Sequence, residues 1–216
     1  MFCIPITSPT SRVLFRHSER VSETLTAEIL AAEAELKGPS PDAWFDRLDG
    51  DQAGLEEALA WSLEHDLDQS LRLGGAVWPY WLARGHLDTG RAWLGKVLAA
   101  TEWGDRTAHR AKALYGAGTL ACSQNDREPS LRFHTESLAI ARELGDQGLE
   151  ADALIGLGRV AELDRDGIMV EQNAQRSLEA ARAAADPQRI AAALGLVEEA
   201  KRIQAHAEEP SPPGET

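Results

Sequence analysis

The chain has 216 residues, of which 43% are hydrophobic and 26% charged, and its formal net charge is −13 at pH 7. This composition is typical of a globular protein, and the negative charge argues against binding to nucleic-acid phosphates or to anionic membrane surfaces. No apolar run approaches the ~18 residues that a membrane-spanning helix needs, so no membrane segment is predicted.

The two cysteines, Cys3 and Cys122, lie far apart and match no metal-binding or redox spacing. Two reduced cysteines are typical of a cytoplasmic protein. The first residues, MFCIPITSPT, lack the basic segment and the long apolar run of a secretory signal. The sequence therefore predicts a cytoplasmic protein without a targeting segment.

The first part of the chain predicts two helices. Residues 1–10 contain two prolines and several hydroxyl residues and are predicted to be a disordered lead-in. Residues 11–65 are predicted to form an N-terminal helical pair, because apolar residues recur at three- and four-residue steps. The first stripe consists of Leu14, Val21, Leu25, Ile29, Ala32 and Leu36, and the second of Trp44, Phe45, Leu48, Leu55, Leu59 and Leu63. The segment 38–41, which reads GPSP, separates the two helices.

An internal repeat follows. Residues 113–152 and 153–192 are identical at twelve of forty aligned positions, which indicates repeated structural units. Each unit is predicted to be a hairpin of a helix A and a helix B. The predicted repeat region is 66–208, with repeats at about 66–105, 106–145 and 146–185 and a final helix at 187–207. Residues 209–216 are predicted to be a disordered tail.

The turns between these helices carry polar residues and glycine. Helix A is predicted to end at the segments 84–86, 124–126 and 164–167, and helix B near Gly104, Gly145 and 186–187. Glycine and asparagine suit the left-handed backbone that commonly ends a helix. Each repeat also has paired glycines inside helix A, at 116 and 118 and at 156 and 158. Because glycine weakens a helix, we expect these positions to lie where helix B crosses close to helix A.

These features resemble tetratricopeptide-type repeats. The matching residues are Leu114, Gly118, Asn125, Asp126, Ser130, Ser137 and Leu138, with counterparts at Leu154, Gly158, Arg165, Asp166, Ser177 and Leu178. The period of forty residues is longer than the usual ~34. The resemblance implies an all-α fold, a right-handed superhelix of antiparallel helix hairpins (a tetratricopeptide-like α-solenoid).

A narrower resemblance concerns the segment from AWFDRLDGDQ to VLAA (43–100) together with ESLAIARELGD (136–146). This segment is similar to the helical region of bacterial predicted-ATPase and LuxR-type transcriptional regulators, and the likeness covers roughly residues 16–205. No GxxxxGK[ST] loop and no helix-turn-helix accompany it, so ATP hydrolysis and DNA binding are not implied. The resemblance implies a non-catalytic scaffold, free-standing or part of a larger regulator, that binds a protein or peptide partner or senses a small effector.

Candidate binding residues come from the repeat register, because helix A of such arrays lines the concave face. The predicted binding residues are Arg72, Lys112, Tyr115, Thr119, Asp152, Arg159 and Glu162. An ordinary solvated groove is the alternative interpretation. No catalytic, cofactor-binding or metal site is predicted, because none of the six histidines lies three or four residues from another histidine or a cysteine.

The tryptophans offer a second candidate site. Trp61, Trp78, Trp81 and Trp93 are interpreted either as core packing or as the walls of a cleft near Trp78–Trp81. Pro79 lies inside the predicted helix, where it removes a backbone hydrogen bond and favours a kink beside the aromatic residues. The alternative function is therefore a small-molecule-binding protein, or an enzyme of unknown class, that uses this cleft.

Overall fold

The computed structural model of the protein describes residues 23–31, 41–101 and 106–208. All regular secondary structure in these ranges is α-helical, which confirms the predicted all-α class. Within the same ranges, no helix has the length and apolar character needed to cross a membrane. The predicted lead-in at 1–10, the tail at 209–216 and the helix end near Gly104 lie outside the described residues.

The chain divides into two compact units, residues 1–101 and 102–216. The first unit contains a helical stretch at 23–31 and four helices: α1 (Asp42–Gly50), α2 (Gln52–His65), α3 (Leu67–Ala83) and α4 (Leu87–Ala100). Each of the four helices packs against the next, and α2 also contacts α4. The fully buried side chains include Ile29, Leu48, Leu59, Leu73, Trp81 and Leu94.

The second predicted helix is broken in the structure. Asp51 has φ −138°, outside the helical range, and separates α1 from α2. Its side chain accepts a hydrogen bond of 3.0 Å from the backbone N–H of Gly54 and so caps the new helix. The apolar stripe continues in phase from Leu48 to Leu55, which is why periodicity alone predicts one helix here.

The second unit contains five helices in its described part: α5 (Ala108–Ser123), α6 (Arg127–Leu144), α7 (Gln147–Leu163), α8 (Gly167–Ala183) and α9 (Pro187–Glu208). Each helix packs against the next one along the chain. In addition α7 contacts both α5 and α9, so these three helices lie side by side. The predicted final helix from Pro187 is confirmed as α9.

Left-handed residues mark the turns at a regular spacing. They are Gly85, Asn125, Gly145, Arg165 and Ala185, each twenty or forty residues from the previous one. After the last three, the side chains of Asp146, Asp166 and Asp186 accept hydrogen bonds of 3.0 Å from backbone N–H groups three residues later. The polar turns predicted at 84–86, 124–126 and 164–167 are thus confirmed.

One interhelical hydrogen bond also repeats. Ser137 on α6 donates its hydroxyl to the carbonyl oxygen of Ala111 on α5, at 2.9 Å. Forty residues later Ser177 on α8 donates to the carbonyl oxygen of Ala151 on α7, again at 2.9 Å. All four residues are buried. The repeated serine therefore fixes helix B against helix A in both hairpins.

The paired glycines lie at close helix crossings. A Cβ atom on Gly118 or Gly156 would come within 2.7 Å or 2.3 Å of the His134 ring, and one on Gly158 within 2.4 Å of a Leu196 methyl group. Real Cβ atoms essentially never approach other atoms this closely. Gly118 and Gly156 thus lie where a helix B, α6, crosses closely, as expected, whereas the close neighbour of Gly158 is on α9.

Candidate functional site

The helices α5, α7 and α9 share a face formed by Tyr115, Asp152, Arg159 and Arg189, which we call the polar face. Its centre is Asp152 on α7, whose two carboxylate oxygens accept hydrogen bonds of 2.9 Å and 2.8 Å from Nε and Nη2 of Arg189 on α9. Asp186 pairs with the same guanidinium. The hydrogen bonds to Asp152 raise the pKa of Arg189 above its usual value, against the opposing effect of burial. This bidentate pair joins α7 to α9.

Tyr115 brings α5 into the polar face. Burial raises the pKa of its phenol, and the nearby carboxylate of Asp152 raises it further, while Arg159 and Arg189 act in the opposite direction. The hydroxyl of Thr119 donates a 2.9 Å hydrogen bond to the backbone carbonyl of Tyr115. The structure thus brings the predicted residues Tyr115, Thr119, Asp152 and Arg159 together.

A charged groove continues the polar face toward the C-terminal ends of α7 and α9. Nη1 of Arg159 lies 3.0 Å from both carboxylate oxygens of Glu162. Glu162 then lines a groove of about 480 Å³ with Arg165, Glu199, Arg202, Ile203 and His206. This volume lies in the range of ligand sites, but the lining is mostly charged, unlike the apolar pockets that hold most small molecules.

Two other predicted residues lie at the edge of this arrangement or apart from it. Lys112 is half-buried on α5, one turn before Tyr115. Arg72 is exposed on α3, which belongs to the first unit, whereas the polar face belongs to the second. Ile155, which lies between Asp152 and Arg159 on α7, is only 8% exposed and belongs to the core.

Sequence reasoning missed the contribution of α9 to the polar face. Glu199 and Arg202 lie forty residues after Arg159 and Glu162 and form the same spacing of charges in the opposite order, Nη1 of Arg202 lying 2.9 Å from Glu199. Aligning α9 with α7 at the same forty-residue spacing would have predicted both Glu199 and Arg202 at this face. Arg189 lies outside that register, because it reaches Asp152 from thirty-seven residues later, as other ion pairs of this unit do.

His134 is a second residue that sequence reasoning missed. Its side chain is fully buried on α6, and neither ring nitrogen has a hydrogen-bond partner among the described residues. Burial lowers the pKa of His134 to about 4. The ring packs 5.5 Å from that of Tyr115, centroid to centroid. The register gives the signal for its burial, because the equivalent positions are the buried Leu94 and Ala174.

The structure places the four tryptophans in different environments. Trp81 is 2% exposed and is part of the core, whereas Trp61 stacks on His65 at 4.8 Å. Trp78 is half-buried. A small cavity of about 50 Å³ is lined by Gln52, Leu55, Glu56, Leu59, Tyr80, Trp81, His86, Thr89 and Trp93. This cavity lies beside Trp81, with Tyr80 and Trp93 as its other aromatic residues, and Trp78 is not part of its lining.

No protein-family model matches the chain, and no curated protein matches it. Among the described residues, no three histidine, cysteine, aspartate or glutamate side chains are grouped to hold a metal ion.

Proposed function

We propose that the protein is a non-catalytic interaction module whose polar face binds a protein or peptide partner. The observation that carries the proposal is the assembly of Tyr115, Asp152 and Arg159 from two helices with Arg189 from a third. In this proposal the second unit is a tetratricopeptide-like superhelix, related to the helical region of predicted-ATPase and LuxR-type regulators. The repeated turns and the repeated Ser137 and Ser177 hydrogen bonds support the arrangement in repeated helix hairpins.

The charges of the groove favour a partner segment of mixed charge. On α7 the order along the chain is Arg159 then Glu162, and on α9 it is Glu199 then Arg202. A segment lying between the helices would therefore meet both signs of charge along its length. The two arginines are 52% and 72% exposed, and exposed ion pairs contribute only about 0–1 kcal/mol. A partner can exchange its own charges for these pairs at little cost.

The buried part of the polar face would hold the groove in shape. The bidentate Asp152–Arg189 pair is partly buried and fixes α7 against α9. The helices therefore need little rearrangement when a partner binds, which reduces the entropy cost of binding. A rigid base beneath exchangeable surface pairs suits selective recognition of an extended or helical segment.

A charge swap tests the proposal with a matched control. The variant Arg159→Glu/Glu162→Arg keeps the net charge and the i,i+3 pair but reverses the charge order beside the groove. The control Glu198→Lys/Lys201→Glu reverses an exposed i,i+3 pair of α9 that does not line the groove. We expect a partner captured from the native lysate by the immobilised wild-type chain to be retained by the control and lost by the first variant. A partner held equally by both variants, or no partner, would contradict the proposal.

A further inference from the structure

The small cavity of the first unit is independent of the polar face and lies among α2, α3, α4 and the turn before α4. Glu56 and Leu59 belong to α2, Tyr80 and Trp81 to α3, and Trp93 to α4. A cavity needs about 10–15 Å³ of this kind of volume to hold one water molecule. The observed volume of about 50 Å³ therefore accommodates a group of about four non-hydrogen atoms.

The aromatic walls of the cavity are held in place by the surrounding structure. The hydroxyl of Tyr80 donates a 3.0 Å hydrogen bond to Asp49, and Nε of Arg84 lies 2.8 Å from the other oxygen of that carboxylate. Tyr80 is 1% exposed and Trp81 is 2% exposed, so neither ring is free to reorient. A ligand would meet preformed walls, which lowers the entropy cost of binding.

The electrostatic environment favours a cation. Residues 41–101 contain ten acidic and five basic side chains. Glu56 is exposed at the cavity and forms no ion pair with any other residue that the structure describes. The Lys96 ammonium lies 4.1 Å from the centre of the Trp93 ring, which shows that this indole can hold a cation over its face. Lys96 does not belong to the described lining, so its ammonium leaves the cavity unfilled.

We infer that this cavity binds the trimethylammonium head of a small organic cation. Such a head has four non-hydrogen atoms and no hydrogen-bond donors, and its methyl groups suit the aromatic and aliphatic part of the lining, which consists of Leu55, Leu59, Tyr80, Trp81 and Trp93. The remaining lining residues, Gln52, Glu56, His86 and Thr89, are polar or charged. Aromatic ring faces attract quaternary ammonium groups through their negative quadrupole. The carboxylate of Glu56 adds a charge of the complementary sign at the entrance, which a neutral ligand of the same shape would not exploit.

Isothermal titration calorimetry of the full chain with two ligands of equal shape tests the inference. Choline carries the trimethylammonium group, and 3,3-dimethyl-1-butanol replaces its nitrogen with carbon and is neutral. Both are titrated at constant ionic strength. We expect saturable binding of choline, at least about fivefold tighter than that of the neutral alcohol. Equal affinity for the two ligands, or no saturable binding of choline, would overturn the inference.

Variants then locate the site. Glu56→Gln should weaken choline binding by about fivefold, whereas Glu57→Gln, which removes a neighbouring exposed carboxylate outside the cavity, should change it by less than about twofold. Trp93→Leu should weaken the binding of choline more than that of the alcohol. Circular dichroism checks the fold of each variant, and Glu56→Gln remains informative if Trp93→Leu unfolds. Choline binding that Glu56→Gln leaves unchanged would place the ligand elsewhere and overturn the inference.

Discussion

At position 134 a side chain with two polar nitrogens occupies a place that other repeats give to an apolar residue. The His134 ring is buried against Gly118 and Gly156, and neither nitrogen is hydrogen-bonded within the described structure. Leaving a buried polar group unpaired costs about 1–3 kcal/mol. His134 therefore lowers the free energy of unfolding of the second unit, and the size of this effect depends on whether the ring is protonated.

We expect the free energy of unfolding to decrease in acid because of His134. The pKa of His134 is lowered from 6.5 to about 4 in the folded protein, so the unfolded chain takes up the proton first as the pH falls. Above pH ~6.5 the ring is neutral in the folded and the unfolded state, and the pH has little effect on stability through this group. As the pH falls from ~6.5 toward ~4, the unfolded chain binds the proton and the folded protein does not, so the folded protein loses stability. Between pH 7 and pH 5 the wild type should lose about 2 kcal/mol more than His134→Leu.

Urea unfolding of both proteins at the two pH values measures this difference. Identical losses in the wild type and His134→Leu would show that His134 is not held neutral by burial.

At the level of the helices, the two glycines next to His134 set the distance between α6 and its neighbours. Gly156→Ala would place a Cβ atom 2.3 Å from the buried His134 ring, so the ring or the helices around it must shift. We expect the free energy of unfolding to fall by about 1–3 kcal/mol. Gly195→Ala on α9 is the matched control, because no atom lies within 4 Å of its added Cβ. That change should stabilise the protein by up to about 1 kcal/mol through helix propensity alone.

Thermal and urea unfolding of the two alanine variants distinguish the effects. The double variant Gly156→Ala/His134→Ala should recover part of the loss, because the smaller side chain at 134 removes the clash. Equal stability changes at positions 156 and 195 would mean that helix propensity, and not the crossing with α6, decides the outcome.

The sequence predicts the helix boundaries of the repeats well because the turns carry specific residue types. Glycine, asparagine and aspartate mark positions where the backbone must become left-handed or where a helix needs a cap. Arg165 and Ala185 adopt the same left-handed conformation without that chemistry, and only the repeat spacing predicts a turn there. The break at Asp51 could not be predicted from periodicity, because its apolar neighbours stay in phase across it.

The candidate site was less accessible from sequence than the fold. The register aligned Asp152 with Lys112 and Arg159 with Thr119, because residues forty apart lie at equivalent places on neighbouring helices. Tyr115 lies between Lys112 and Thr119 on α5. It could not place Arg189, whose long side chain reaches Asp152 from a position off that register. Nor could it choose among the tryptophans, since burial depends on contacts between helices that are distant in sequence.

At the scale of the whole molecule, the chain divides into two compact units. In the second unit every helix from α5 to α9 packs against the next, so the fragment 106–216 contains its packing partners. We expect this fragment to be helical by far-UV circular dichroism and to unfold cooperatively in urea. The fragment 1–101 provides the comparison. A fragment 106–216 that lacks helical signal in buffer would show that the second unit depends on the first for folding.

The turns recur every twenty or forty residues, and the Ser137 hydrogen bond recurs forty residues later at Ser177. This regular spacing determines how such a chain can gain or lose residues. Joining residue 130 directly to residue 171 would delete forty residues and bring Ser177 opposite Ala111, where Ser137 now lies. A genetic crossover between the two matching stretches therefore removes or duplicates one whole hairpin without creating a foreign junction. Gene duplication in register can lengthen or shorten the protein in steps of one hairpin while the sequence at each joint stays compatible.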